Sequence, residues 1–232
     1  MFSYLKILRI PHWPKNFVVL LGLLFAMSKP VLYPDLHIPF VIILSVTLAC
    51  LISSSNYIIN QIVDSESDKH HPVKKFRPIP KGEISKKNSL IFTFLIFFIS
   101  MLLSLFYIKT YTSLSLLGFF LAGIIYNVPP IRLKDKAYVD VISESVNNPL
   151  RFLIGWYTIS NATPSIPFLL FLWSSGASLM SIKRFFELRS LNVINAINYR
   201  KSYKDITPRK LVFLSIGWLI LSLIFLSKSQ IF

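Results

Sequence analysis

"PFVIILSVTLACLISSSNYIINQIVDSESD", residues 39–68, opens as a long apolar run and closes in amides and carboxylates. The apolar part is long enough to cross a bilayer as a helix, which takes about 17–20 residues. Asn56, Asn60, Asp64 and Asp68 each follow the one before by four residues. On a helix that step advances about 400°, so the four side chains form one slowly drifting stripe at the polar end.

Working outward, the same apolar theme recurs. The chain has 232 residues, of which 53% are hydrophobic and only 15% charged; a soluble domain carries about a quarter charged residues. Candidate helices run over 16–33, 39–63, 89–108, 112–128, 139–159, 165–182 and 211–227. The expected fold is all-α, a polytopic transmembrane bundle of about seven helices, forming one domain over 1–232. Lys29 and Pro30 interrupt the first helix near its outer end. The opening "MFSYLKILRIPHWPKNFVVLLGLLFA" lacks a small-x-small cleavage site and reads as an uncleaved first helix.

A net charge of +15 in a soluble protein would suggest a nucleic-acid partner. Here the basic residues sit in loops, so the partner they imply is the phospholipid bilayer and not nucleic acid. With the N-terminus inside, the inner segments hold three, seven, three and eight Lys or Arg, twenty-one of the 25. Lys29, Lys109 and Lys228 fall outside and Arg151 falls within a span. The positive-inside rule then predicts the ladder of 56–68 on the cytoplasmic side, in the plasma membrane if the source is a prokaryote. The one cysteine, Cys50, lies in an apolar run and reads as a small packed residue.

Two carboxylates one turn apart repel by a few tenths of a kcal/mol on an exposed helix, and the C-terminal helix dipole disfavours them further. A divalent cation between them removes both penalties. Oxygen donors without His or Cys suit Mg2+ or Mn2+, and Mg2+ commonly completes its shell with substrate phosphates. The alternative is a set of ordinary interfacial polar residues. "KHHPVKKFRPIPKGEISKK", 69–87, favours the metal, because it sets Lys74, Lys75, Arg77 and Lys81 just beyond the carboxylates. Acidic groups for a metal beside basic groups for anionic oxygens suit a diphosphate, while some of these lysines serve orientation or anionic lipid.

A second constellation lies in "YNVPPIRLKDKAYVDVISESVNNPLRF", 126–152. It offers Tyr126, Arg132 and Lys134 in a Pro-containing loop, with Asp135 as a loop charge. Asp140 and Glu144 follow one turn apart, and Asn147, Asn148 and Arg151 lie within the fifth span. Ionisable residues at such depth face a cavity or a partner; for Arg151 the structural alternative is a pair with Glu144, two turns away. His12, His70 and His71 show no metal-ligand spacing and read as interfacial, and His37 falls in an outer loop.

These motifs resemble the UbiA superfamily of intramembrane prenyltransferases. The family's Asn-Asp-x-x-Asp-x-x-x-Asp motif corresponds to "NQIVDSESD", 60–68, with Gln61 in place of Asp. Its second, Asp-x-x-x-Asp, corresponds to "DVISE", 140–144. "RIPHWPKNFVVLLGLLFA" at 9–26, "DKHHPVKKFRPIPKGEIS" at 68–85 and "SIKRFFEL" at 181–188 resemble the polyprenyl-phosphate (decaprenyl-phosphate) phosphoribosyltransferase branch. "YNVPPIRLKD" at 126–135 is closer to the general prenyltransferase loop.

The resemblance implies an Mg2+-dependent transferase moving a prenyl group from a diphosphate donor to an acceptor. Phosphoribosyl transfer from phosphoribosyl diphosphate to a polyprenyl phosphate is the alternative, and a transporter or scaffold the non-enzymatic one. It implies Asn60, Asp64, Asp68, Asp140 and Glu144 as metal ligands, the four carboxylates being catalytic. It implies Arg77, Tyr126, Arg132 and Lys134 as diphosphate contacts, and Arg9, Lys15 and Asn16 as contacts to the donor or a lipid phosphate. The segment 183–210 is expected as an amphipathic cytoplasmic loop that covers the site or lies on lipid. Family members carry nine helices, so the last two are expected to be lacking, or a partner subunit to complete the bundle.

Overall fold

The computed structural model describes residues 2–29, 37–69, 73–190 and 200–229. Pro30, His70, His71 and the 191–199 part of the expected loop lie outside the described residues. Helices follow in the order α1 (Phe2–Ile7), α2 (Phe17–Ala26), α3 (Ile38–Lys69), α4 (Lys86–Tyr107) and α5 (Thr110–Asn127). They continue with α6 (Val139–Ser145), α7 (Asn147–Ile159), α8 (Ile166–Ser190) and α9 (Pro208–Ser227). Among the described residues there is no strand. Helices α3, α4, α5, α8 and α9 are each long and apolar enough to span a membrane. The protein is an integral membrane protein of the all-α class.

Helix α3 has 32 residues. At about 1.5 Å each it measures roughly 48 Å, against roughly 30 Å for the hydrocarbon layer. The helix is therefore longer than one perpendicular crossing requires, and its apolar run gives way to Asn60, Asp64 and Asp68 in its last turns.

The first compact unit comprises residues 1–128 and 150–162. Here α3 packs against α4, α5 and the N-terminal segment. Ser54 joins that segment to α3, donating to the Leu8 carbonyl at 2.7 Å and accepting from Trp13 Nε1 at 3.0 Å. Ile7, Ile58, Ile79, Ile84 and Ile96 form a buried apolar cluster beside Tyr4 and Phe92. Helices α2 and α7 touch backbone to backbone. A Cβ on Gly22 would lie 2.1 Å from the Phe152 carbonyl oxygen, and one on Gly155 1.9 Å from that of Val19. Only glycine permits this approach.

The second unit comprises 129–149 and 163–232. Helices α8 and α9 pack along each other, and α6 packs on α8. Trp173 meets Trp218 edge to face at 5.2 Å, and its Nε1 donates to the Ile142 carbonyl at 3.1 Å. The Thr207 side chain caps α9, with Pro208 at the first helical position, where its missing N–H costs nothing. Tyr203, Ile206 and Leu211 form a small core with Ala137, Tyr138, Phe185 and Leu188.

Two expected spans take a different form. The 139–159 stretch is broken at Val146 into α6 and α7; Pro149 then sits in the first turn of α7, where proline is tolerated. The 165–182 stretch continues to Ser190 as α8, so Lys183 to Ser190 are helix and not loop. The described part of the first expected span is helical over Phe17–Ala26.

Candidate functional site

In the first unit the polar stripe of α3 is bonded to α5. Asn56 Nδ2 donates to the Phe119 carbonyl at 3.0 Å. Its amide occupies the space beside Gly123, where a Cβ would come within 2.1 Å. Asn60 Nδ2 donates to Asp64 Oδ2 at 3.0 Å and to Asn127 Oδ1 at 2.7 Å. Asn127 is held in turn by its own bond to the Gly123 carbonyl at 2.9 Å. Sequence reasoning passed over Asn127, although it adjoins Tyr126, which is half-buried at the end of α5.

Asp68, one turn further, is buried. Arg77 Nη1 donates to its Oδ2 at 2.6 Å, and Lys74 Nζ lies 4.0 Å from Oδ1. Charge-assisted bonds of this kind are the strong ones. Arg9 belongs to the same neighbourhood. Burial, and then the Arg77 guanidinium, pull its ionisation below the ordinary arginine value, with Tyr57 and Asp68 opposing. Arg9 Nη2 lies 2.6 Å from His12 Nε2, and its guanidinium stacks over the Tyr57 ring at 5.0 Å. The Arg9 backbone is left-handed, φ 54°, a conformation that costs a non-glycine residue about 1 kcal/mol or more and concentrates at functional sites. His12 is thus a partner of Arg9 and not merely an interfacial ring.

Other expected members are placed differently. Lys15 is exposed, while Asn16 is buried, donating to Cys50 Sγ at 3.3 Å and accepting from Arg151 Nε at 2.8 Å. Arg151 also stacks on Phe119 at 4.8 Å. Gln61, at the position where the family motif has Asp, is 1% exposed. Its Nε2 is 3.5 Å from the Ile7 carbonyl and its Oε1 has no hydrogen-bond partner. That side chain looks toward α1, about 100° round the helix from Asn60.

In the second unit, Arg132 has φ 36° and donates from Nε to Asp135 Oδ2 at 2.6 Å, so Asp135 is its ion-pair partner. Lys134 is buried. Asp140 is fully buried and Glu144 half-buried on α6. Both are held by Arg184 of α8, a residue that sequence reasoning missed. Arg184 Nε donates to Asp140 Oδ2 at 2.8 Å and Nη2 to Glu144 Oε2 at 2.7 Å. Nη1 donates to Glu187 Oε2 at 2.9 Å. Arg200 Nη1 adds a contact to Asp140 Oδ2 at 3.2 Å. Tyr203 donates to Glu187. Burial, and then that carboxylate, push the Tyr203 phenol above its ordinary value, so it remains a donor at neutral pH. Asn147 Oδ1 and Asp140 Oδ1 are buried without a hydrogen-bond partner among the described residues. Asn148 lies against Gly176, where a Cβ would meet its Nδ2 at 2.2 Å.

The donors of both motifs are oxygens. Among the described residues no three His, Cys, Asp or Glu side chains are gathered as a ready-made metal site. The carboxylates come in pairs, each beside at least one guanidinium.

The chain is similar to several known proteins. The chain matches 35% of residues over 80 positions with a decaprenyl-phosphate phosphoribosyltransferase of Mycolicibacterium smegmatis, 34% of this chain and 25% of that protein. A protoheme IX farnesyltransferase of Leptospira biflexa matches at 28% over 136 residues, 58% of this chain and 47% of that one. The matched stretches thus span a quarter to about half the length of these relatives. A UbiA homolog from Archaeoglobus fulgidus, solved with DMAPP and Mg2+, superposes with a TM-score of 0.79 at 19% identity. That match covers 97% of this chain and 77% of the other. The same homolog bound to GPP and Mg2+ gives 0.78. The model of the UbiA prenyltransferase family matches residues 16–189. With three quarters of its length matched, the chain belongs to the UbiA prenyltransferase family.

Proposed function

We propose that the protein is a membrane transferase that takes a prenyl group from a diphosphate donor, with Mg2+ or Mn2+ at its carboxylates. The observation that carries the reading is the end of α3. Asn60 bonds Asp64, and Asp68 lies one turn on with Arg77 at 2.6 Å. Amide, carboxylate and guanidinium succeed one another along the polar end of that helix.

The donor set fits a magnesium ion. It is all oxygen, its carboxylates are paired, and Asp140 presents a buried oxygen with no hydrogen-bond partner among the described residues. Mg2+ is typically held by one or two carboxylates, with phosphate and water completing the octahedron. Asn60, Asp64, Asp68, Asp140 and Glu144 would hold the metal. When bound, it supplies neutralisation of the charge that gathers on the departing diphosphate.

The chain's own residues do the rest. Arg77, Arg132, Lys134 and Tyr126 bind and orient the diphosphate, stabilising its charge as the bond to carbon breaks. Arg77 changes partner on binding, from Asp68 to a phosphate oxygen. Arg9, with its strained backbone, and Lys15 contact the donor or a lipid phosphate, and Asn16 supports them from its buried place between Cys50 and Arg151. The apolar helices exclude water from the carbocation left behind. The acceptor then forms the new bond to that carbon and gives up its proton, while the diphosphate departs with the electrons of the broken bond.

A second reading has its own support. The phosphoribosyltransferase relatives match at 33–35% identity, and Arg9 and Arg77, which are close enough to perturb each other, form a cationic group suited to an additional phosphate. Phosphoribosyl transfer from phosphoribosyl diphosphate to a polyprenyl phosphate is that alternative. The excess of Lys and Arg in alternate loops supports a cytoplasmic N-terminus and cytoplasmic motifs.

The test incubates membranes carrying the protein with a prenyl diphosphate and aromatic or lipid acceptors, or with phosphoribosyl diphosphate and a polyprenyl phosphate. Product mass separates the two. Turnover is expected to stop with EDTA and to fall at least a hundredfold in Asp64→Ala plus Asp68→Ala, on the order expected for lost charge stabilisation. Turnover surviving both treatments would rule out the metal-diphosphate reading.

A further inference from the structure

Arg184 lies on α8, outside both acidic motifs, and the reading above gives it no task. Its side chain is 4% exposed. Nε, Nη1 and Nη2 each carry a bond, to Asp140, Glu187 and Glu144 respectively. Each bond takes one oxygen of its carboxylate. At Asp140, Oδ2 receives both Arg184 and Arg200, while Oδ1 is buried and has no hydrogen-bond partner among the described residues. An orphaned buried acceptor is costly to a fold, and such an atom calls for an explanation.

The guanidinium explains it. It is a rigid, planar fork whose donors point in set directions. Bonded to three carboxylates, it fixes their mutual orientation; without it, Asp140, Glu144 and Glu187 would repel one another. We propose that Arg184 is the positioning residue of the second acidic motif, holding Asp140 and Glu144 by one oxygen each and reserving Asp140 Oδ1 for a divalent cation or a water bound to it. Glu187 and Tyr203 complete the arrangement, because the Tyr203 hydroxyl keeps Glu187 aligned on Nη1. This inference rests on the metal-diphosphate reading and adds the residue that sets the geometry of its second half.

A purely structural ion pair predicts something else: stability falls, but cation affinity stays. The experiment uses the full chain in detergent with Asp64→Asn and Asp68→Asn, which leaves only the second motif. Mn2+ binding is followed by electron paramagnetic resonance with inorganic pyrophosphate present, and thermal unfolding is measured in parallel. The parent is expected to bind Mn2+. Arg184→Lys keeps the charge but not the fork, and is expected to weaken binding about tenfold or more, as for other residues that orient metal ligands. Tyr203→Phe leaves every charge in place and is expected to weaken it less, in the same direction. A parent that binds no Mn2+ sinks the metal role of this motif and the inference with it. A parent that binds, with both variants equal to it, overturns the positioning role while the metal reading stands. Should Arg184→Lys fail to fold, Tyr203→Phe decides by the same criterion.

Discussion

Gln61 shows how one residue of a motif can leave the site while its neighbours stay. The family resemblance makes its position one for a carboxylate, and by motif alone an Asp there would improve metal binding. The geometry argues the reverse. Gln61 is 1% exposed and faces the Ile7 carbonyl, so an anion there would be buried against an acceptor. Gln61→Asp is expected to destabilise the protein by about 3 kcal/mol or more, the cost of an uncompensated buried charge, with no gain in Mn2+ affinity. Thermal unfolding and a metal titration of the same sample check both halves. The ladder itself is legible in the sequence because a four-residue spacing dictates a shared helix face. Partner choice is not legible. Asn127 joins the first motif and Arg184 the second over sequence separations of 67 and 44 residues, and no local pattern encodes which amide or guanidinium will arrive. Arg77 is the intermediate case: its basic cluster announces an anion, and the anion it meets in this structure is Asp68.

At the scale of elements, the apolar cores of the helices are readable and their ends are not. Hydropathy stops the sixth expected span at residue 182, yet α8 continues to Ser190. Its last turns are charged because they bond to α6 through the Arg184 ion pairs and to Tyr203 through Glu187. The break at Val146 is hidden for the opposite reason, since residues on both sides of it are compatible with helix. Glycines give the element scale its own test. Gly155 brings α7 against the backbone of α2, where a Cβ would sit 1.9 Å from the Val19 carbonyl oxygen. Neither backbone can yield without moving a helix. Gly155→Ala is expected to cost about 2 kcal/mol, within the range for overpacking. Gly217 on α9 has open space around its would-be Cβ, and Gly217→Ala is expected to stabilise by up to about 1 kcal/mol through helix propensity. Thermal unfolding of the two variants in one detergent should shift in opposite directions. Equal shifts would mean that the α2–α7 contact carries no packing constraint.

For the whole molecule, orientation decides whether the proposed chemistry is reachable. The seven Lys and Arg of 64–88 flank the ladder, and each basic residue near an anionic membrane surface is worth roughly 1 kcal/mol. Lys109, between α4 and α5, is the lone basic residue of 89–128. That asymmetry predicts opposite sides of the membrane for Lys81 and Lys109. Cys50 is the one cysteine, and Cys50→Ser retains a hydrogen-bonding side chain for Asn16, giving a background without thiols. In it, Lys109→Cys is expected to react with a membrane-impermeant maleimide on intact cells. Lys81→Cys is expected to react only after permeabilisation. Lys81 is exposed and lies in the turn that carries Arg77 back to Asp68, so its label reports directly on the side of the first acidic motif. The reverse pattern would leave that motif facing away from a cytoplasmic supply of diphosphate donor, and a donor-utilising transferase would then have to draw its substrate from the opposite compartment.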